Sequence, residues 1–155
     1  GAKKLVYGAL MIGMANGISL ILTDGKILDT TVQYLGGLLV TLPSYLQAAG
    51  MFLMQLLING LITSGSGQAA ATMPIMLPVA DIIGITKQTT VLAFNFGDGL
   101  SNYILPTSSA LMGFIAMVGI SYSNWMKFMW KLFLIWIVVG AILVIVANSI
   151  NYGPF

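Results

Sequence analysis

Of 155 residues, 58% are hydrophobic and only 6% charged, with a mean hydropathy of +0.97, where an ordinary soluble domain carries roughly 25% charged residues. The net charge of +2 comes from six lysines and four aspartates, with no Arg, Glu or His, which excludes a basic nucleic-acid face. Without Cys or His there is no disulfide frame, no thiolate nucleophile or thiolate metal site, and no imidazole base, so most enzyme templates fail and no cofactor is expected.

This is the composition of an integral membrane protein, with room for a few spans of ~20 residues plus connections. Gly1-Ala2 is followed by no charged leader with a cleavage site, so the chain is expected to be a piece of something longer. Leu5 to Leu22 is an apolar run after Lys3-Lys4, broken only by glycines, Asn16 and Ser19, and fits one crossing (5–22). Its Gly13 and Gly17 form a GxxxG suited to close helix packing; Asn16 and Gly17 lining a cavity is the functional alternative. Asp24-Gly25-Lys26 marks an aqueous boundary. The mixed stretch 27–42, with Asp29, Thr30, Thr31 and Gln33 among leucines, suits a helix lying in the interface.

Pro43-Ser44 opens the next helix. The apolar stretch that follows runs to Ile62, then to Thr63-Ser-Gly-Ser-Gly-Gln68, and returns through Pro74 and Pro78 to Ile85. The tip 63–68 carries no charge, unlike most loops that face water beside a span. Backbone without regular structure at membrane depth is tolerated only where protein or a wet cavity satisfies it, so 44–85 reads as a re-entrant hairpin rather than two full crossings.

The 32 residues from Thr89 to Ile120 would make a helix of ~48 Å against a hydrocarbon core of ~30 Å, so a broken helix is expected over 89–120. The break is expected in Asn95-Phe-Gly-Asp-Gly-Leu-Ser-Asn102 and Pro106-Thr-Ser-Ser109. A last span, 125–148, starts at an interface marked by Trp125, Trp130, Lys127 and Lys131. The positive-inside rule places Lys3, Lys4, Lys127 and Lys131 in the cytoplasm and Lys26 and Lys87 outside, after three crossings.

Only Asp81 and Asp98 fall within membrane segments, and an intramembrane acid is a functional candidate by default. Asp81 lies near Lys87 and reads as an interfacial ion pair, whereas Asp98 sits among Asn95, Ser101 and Asn102. A cation or a proton should accompany it. Hard monovalent cations take several oxygens at once. The tip supplies Ser64, Ser66 and Gln68, and the break supplies Asp98 and Asn102; these are the candidate cation-binding residues. Thr63, Gly65, Gly67, Asn95, Ser101, Thr107 and Ser108 are the candidates for an organic solute, with helix amides available to a carboxylate.

The run Thr63-Ser-Gly-Ser-Gly-Gln-Ala-Ala-Ala-Thr-Met-Pro-Ile-Met-Leu-Pro-Val-Ala-Asp81, followed by Phe96-Gly-Asp-Gly-Leu-Ser-Asn-Tyr-Ile-Leu-Pro-Thr-Ser-Ser109, resembles the C-terminal half of the YfcC/DcuC carriers of the ion transporter superfamily. Ile12 to Gly25 and Ile27 to Thr30 are similar to the same family's preceding span and interfacial helix. The resemblance implies an all-α fold that is one repeat of an inverted-repeat secondary transporter: span, interfacial helix, re-entrant hairpin, broken helix, final span. It implies a multi-pass protein of the bacterial cytoplasmic membrane, working by an elevator-like movement, often as a homodimer. The coupling ion would be Na+ or H+, and the missing N-terminal half would be its partner in the bilayer. The implied solutes are C4-dicarboxylates or, alternatively, basic amino acids such as arginine and ornithine. Better-understood relatives carry Ser-Asn-Thr at the tip where this chain has Ser64-Gly65-Ser66.

Other classes fit less well. An intramembrane aspartyl protease would pair Asp81 with Asp98, but its Gly-x-Gly-Asp signature needs glycine where Asn95 stands. A passive channel with the tip as filter would show no coupling of two solutes. A structural membrane subunit would use Asp98 and the glycines only for packing.

Overall fold

The structure, a computed structural model, describes residues 24–153, together with Val6, Leu10, Gly13, Gly17, Leu20 and Ile21; the side chains of Leu28 and Asp29 are not described. The expected first span, 5–22, therefore lies largely outside the described residues. Among them, the regular structure is helical: α1 Ile27–Thr41, α2 Ser44–Asn59, α3 Gly65–Ile83, α4 Lys87–Ser101, α5 Ser109–Val118 and α6 Tyr122–Ser149.

Local chemistry sets the boundaries. α1 stops where Leu42 turns extended (ψ 149°), the conformation imposed by the Pro43 that follows. Ser64 caps α3 by accepting from the Gly67 amide (3.3 Å), and Gly84 ends it with φ 77°, the left-handed turn that glycine makes at little cost. Thr86 caps α4 through the Thr89 amide (3.1 Å), and Ser121 caps α6 through that of Asn124 (3.3 Å). Pro74 and Pro78 lie inside α3. Each lacks an N–H, which leaves the carbonyls of Ala70 and Pro74 without their usual helical donors.

α2 and α4 run parallel and in close contact, Gln55 and Leu56 against Gly97 and Asn59 against Asp98 and Ser101. α6 runs antiparallel to both. Its C-terminal end meets the start of α4, where Thr86 Oγ1 donates to the Tyr152 carbonyl (2.6 Å). Gly140 faces Phe52 and Leu100, and Trp136 packs edge-on against Tyr103 at 5.2 Å. The 28 residues of α6 reach ~42 Å, and among the described residues it is the one helix long and apolar enough to cross a membrane. Trp136 is near its midpoint, so α4 ends at mid-height on α6. The 16 residues of α2 and 15 of α4 reach only ~24 and ~22 Å, short of a ~30 Å core.

α3 packs chiefly against α1, where Gly36 admits Met76, Val79 and Ile75. The main core joins Val32 and Leu39 of α1, Met51, Phe52 and Ile58 of α2, Met76 and Ala80 of α3, Ala93 of α4 and Val144 of α6. A Cβ at Gly13 or Gly17 would meet nothing within 4 Å, so no close approach at the GxxxG is seen among the described residues.

The structure moves the break. α4 continues through Gly97-Asp98-Gly99 and stops at Ser101; the irregular stretch is Asn102 to Ser108, where the amides of Ile104 and Leu105 turn back to the Ser101 carbonyl (3.0 and 3.1 Å). Gly97 stays helical and admits the backbone of α2, a packing role that the sequence pattern does not distinguish from unwinding. The hairpin loop is likewise shorter than the tip expected over 63–68, because Gly65 to Gln68 form the first turn of α3.

Candidate functional site

The hairpin tip and the end of α4 meet at Gly65 and Asp98. A Cβ on Gly65 would lie 2.9 Å from Asp98 Oδ2 and 3.5 Å from Oδ1, so the carboxylate rests directly on the first residue of α3. The unpaired amides and positive dipole end of a helix favour an anion there. Asn102, one turn beyond Asp98, fixes the group from the other side by donating to Oδ1 (3.0 Å) and to the Asp98 carbonyl (2.9 Å). No basic side chain does the same: the one ion pair among the described residues is Lys87 with Asp81 at 4.0 Å, both side chains largely exposed. Asp98 is thus a charge at the mid-height of α6 without a described counter-charge.

Around this contact lie buried amides and hydroxyls. Asn59, the last residue of α2, is fully buried and donates to Ser101 Oγ (2.6 Å) and the Asp98 carbonyl (3.2 Å). Ser101 Oγ donates in turn to the Gly97 carbonyl (2.6 Å). Gln68, also fully buried, donates from Nε2 to the backbone carbonyl and the side-chain oxygen of Gln55 (2.8 and 2.9 Å). Asn59 Oδ1, Gln68 Oε1, Gln55 Nε2 and Thr72 Oγ1 are buried without a partner. Such orphans are uncommon in folded proteins and call for an explanation.

Of the candidate cation ligands, Asp98 and Asn102 touch each other, and Gly65 brings the tip to Asp98. Ser64 and Ser66 are exposed, their hydroxyls 3.3 Å apart. Of the solute candidates, Ser101 belongs to the cluster, Thr63 is half-buried and Gly67 backs onto the Ser64 side chain. Asn95 is exposed and spends its amide on the Val91 carbonyl (3.0 Å). Thr107 and Ser108 sit in the turn before α5. Ser108 lines a mainly apolar cavity of about 480 Å³ with Gly99, Asn102, Tyr103, Leu111 and Trp125, and Thr107 Oγ1 is a further buried orphan.

Gln55, Asn59 and Thr72 were not singled out by sequence. The available signal was two amides one helical turn apart in the apolar run of α2, matched by Gln68 and Thr72 at the same spacing on α3.

A weakly charged polar cluster where two short helices and the loop before α3 meet is the kind of arrangement found at discontinuous helices of membrane carriers. Comparison with known proteins agrees. The family described as DcuC, C4-dicarboxylate anaerobic carrier, matches residues 1–149. A protein of Escherichia coli (strain K12) named "Putative basic amino acid antiporter YfcC" is 36% identical, over 98% of this chain and 31% of its own length. An uncharacterized protein of Haemophilus influenzae is 32% identical, over 97% of this chain and 29% of its own length. The chain therefore belongs to the DcuC family, and it spans about a third of the length of these relatives. No solved structure matches it.

Proposed function

We propose that this chain is part of an ion-coupled secondary transporter for small organic solutes, with Asp98 as the group that takes the coupling ion. The observation that carries this reading is the Asp98 carboxylate seated on Gly65 at the start of α3 without a described basic partner. A half-buried carboxylate in a membrane segment calls for a compensating cation or proton, and one that arrives from a bulk phase converts an ion gradient into a change of state at the tip.

In this reading α2, the tip and α3 form a re-entrant hairpin, which the ~24 Å length of α2 and the parallel course of α2 and α4 support. Lys87 and the C-terminal end of α6 then share one membrane face and Lys127 and Lys131 the other, in a bacterial cytoplasmic membrane. The remainder of the carrier completes the frame of the site, and Ser64, Ser66, Gln68 and Asn102 join Asp98 in holding the ion. The solute is of the C4-dicarboxylate type, as the family's description suggests. One observation favours the second reading, a basic amino acid: the site offers an aspartate and no described cation to meet a dicarboxylate.

The test is uptake by the full-length parent in proteoliposomes under imposed sodium or proton gradients. A C4-dicarboxylate or a basic amino acid should accumulate only with a gradient, and Asp98→Asn should abolish accumulation. Gradient-independent flux in the parent would replace the carrier with a channel.

A further inference from the structure

The outer side of α6 carries a pattern that the site around Asp98 does not use. Met129, Phe133, Gly140, Val144 and Ala147 are its buried residues, and they turn one side of the helix to the rest of the chain. Lys127, Lys131, Leu134, Val138 and Ile142 fall within about 80° of arc on the opposite side, and all five are exposed. Two cations one turn apart are thus followed, along one line, by apolar side chains.

Nothing described neutralises the two lysines. The one ion pair among the described residues, Lys87 with Asp81, belongs to the other end of α6, where Thr86 meets Tyr152. Like charges at i and i+4 repel, and an anion between the two ammonium groups turns that repulsion into shared attraction. Phe128 and Trp130 are exposed beside them, and Trp125 packs on Phe128. Aromatic residues and lysines together mark a membrane–water interface, which sets Lys127 and Lys131 at headgroup level.

From Lys131 to Ile142 the helix rises ~16 Å, about half of a ~30 Å hydrocarbon core. The stripe therefore has the length of one leaflet, and its order of charge and apolar surface is that of one lipid molecule. A zwitterionic headgroup would bring a cation of its own to the lysine pair, whereas an anionic phosphodiester brings only negative charge. The far end of α6, Ser149-Ile150-Asn151-Tyr152, has no charged residue, so the pattern belongs to one leaflet alone. We propose that Lys127 and Lys131 bind the phosphate of an anionic phospholipid whose acyl chain lies along Leu134, Val138 and Ile142. This lipid site is separate from Asp98 and independent of the ion or solute that the carrier takes.

The experiment is native mass spectrometry of the purified full-length parent in detergent, titrated with phosphatidylglycerol or with phosphatidylcholine of the same acyl chains. The parent should hold one phosphatidylglycerol more tightly than any phosphatidylcholine. A lysine near a headgroup contributes about fivefold in affinity. Lys127→Gln alone should weaken that lipid by about fivefold, and Lys127→Gln with Lys131→Gln by about 25-fold, with phosphatidylcholine unaffected. Lys127→Arg with Lys131→Arg keeps both charges and should keep the preference, which guards against misfolding of the glutamine variants. Excess glycerol phosphate should not displace the lipid, because it lacks the chain.

Equal affinity of the parent for the two lipids, or a phosphatidylglycerol preference that the glutamine variants leave unchanged, would overturn the inference. Displacement by glycerol phosphate would make the lysines a site for a soluble phosphate compound instead. A fall from dimer to monomer mass in the double glutamine variant, with lipid binding unaltered, would make this face a contact between copies and likewise refute the lipid site.

Discussion

Gly97 and Gly99 flank Asp98 symmetrically in the sequence, yet the structure gives them opposite roles, and alanine at each position separates the two. A Cβ at Gly97 would lie 2.7 Å from Gln55 Cβ, 2.8 Å from the Leu56 nitrogen and 2.9 Å from the Gln55 carbonyl carbon. Two of these three atoms are backbone and the third is a Cβ, so none can swing aside as the end of a flexible side chain does. Overpacking of this kind typically costs about 1–3 kcal/mol, and rigid neighbours place Gly97→Ala in the upper half of that range. The better helix propensity of alanine returns at most about 1 kcal/mol, which leaves a net loss of about 1–3 kcal/mol. A Cβ at Gly99 meets nothing within 4 Å, so Gly99→Ala should gain about 0.5–1 kcal/mol. The assay is the melting temperature of each full-length variant in detergent, with uptake in parallel. Gly97→Ala should melt below the parent and Gly99→Ala at or above it. Equal shifts, or a stabilised Gly97→Ala, would refute the close approach of α2 and α4 and with it the placement of Asn59 beside Asp98.

Asp81→Asn should change stability by no more than about 0–1 kcal/mol and leave uptake near normal, because its ion pair with Lys87 is long and largely exposed; loss of coupling in Asp81→Asn with retention in Asp98→Asn would move the site to α3. Gly65→Val should stop uptake while the protein still inserts, since a Cβ there already meets the Asp98 carboxylate at 2.9 Å; normal uptake would separate tip from α4. Gly140→Ala should be milder than Gly97→Ala, by melting temperature, because the contact at 3.1 Å is the far edge of the Phe52 ring. Single cysteines, introduced into a chain with no native ones, should label from outside at Lys87 and not at Lys127; equal labelling would overturn the proposed topology.

The sequence made the membrane class, the polar tip and Asp98 legible because each is a local departure from an apolar background. Pro43, Gly84, Gly119 and Ser121 likewise announce helix ends by their own chemistry. What it did not disclose is relational. Whether Gly97 loosens a helix or admits a neighbour depends on what lies opposite, and here it is the backbone of α2. Asn95 and Asn102 look equivalent around Asp98, but only Asn102, four residues on, reaches its carboxylate; Asn95 turns back to Val91. Asn59 and Gln55 seemed incidental in an apolar run until α4 and α3 were placed against them.

That relational part also constrains mechanism. α2 is fastened to α4 by a backbone-level contact at Gly97 and by the two donations of Asn59, and to α6 by Phe52 against Gly140. Across the seam between α2 and α3, in contrast, the Gln68 donations stand beside two unpaired polar atoms, Gln55 Nε2 and Gln68 Oε1. A satisfied apolar contact is expensive to open, whereas an incompletely satisfied polar one loses little on parting and gains from any cation or water that enters. Asp98 is therefore carried on the firmly joined body while the tip that covers it belongs to the weaker seam.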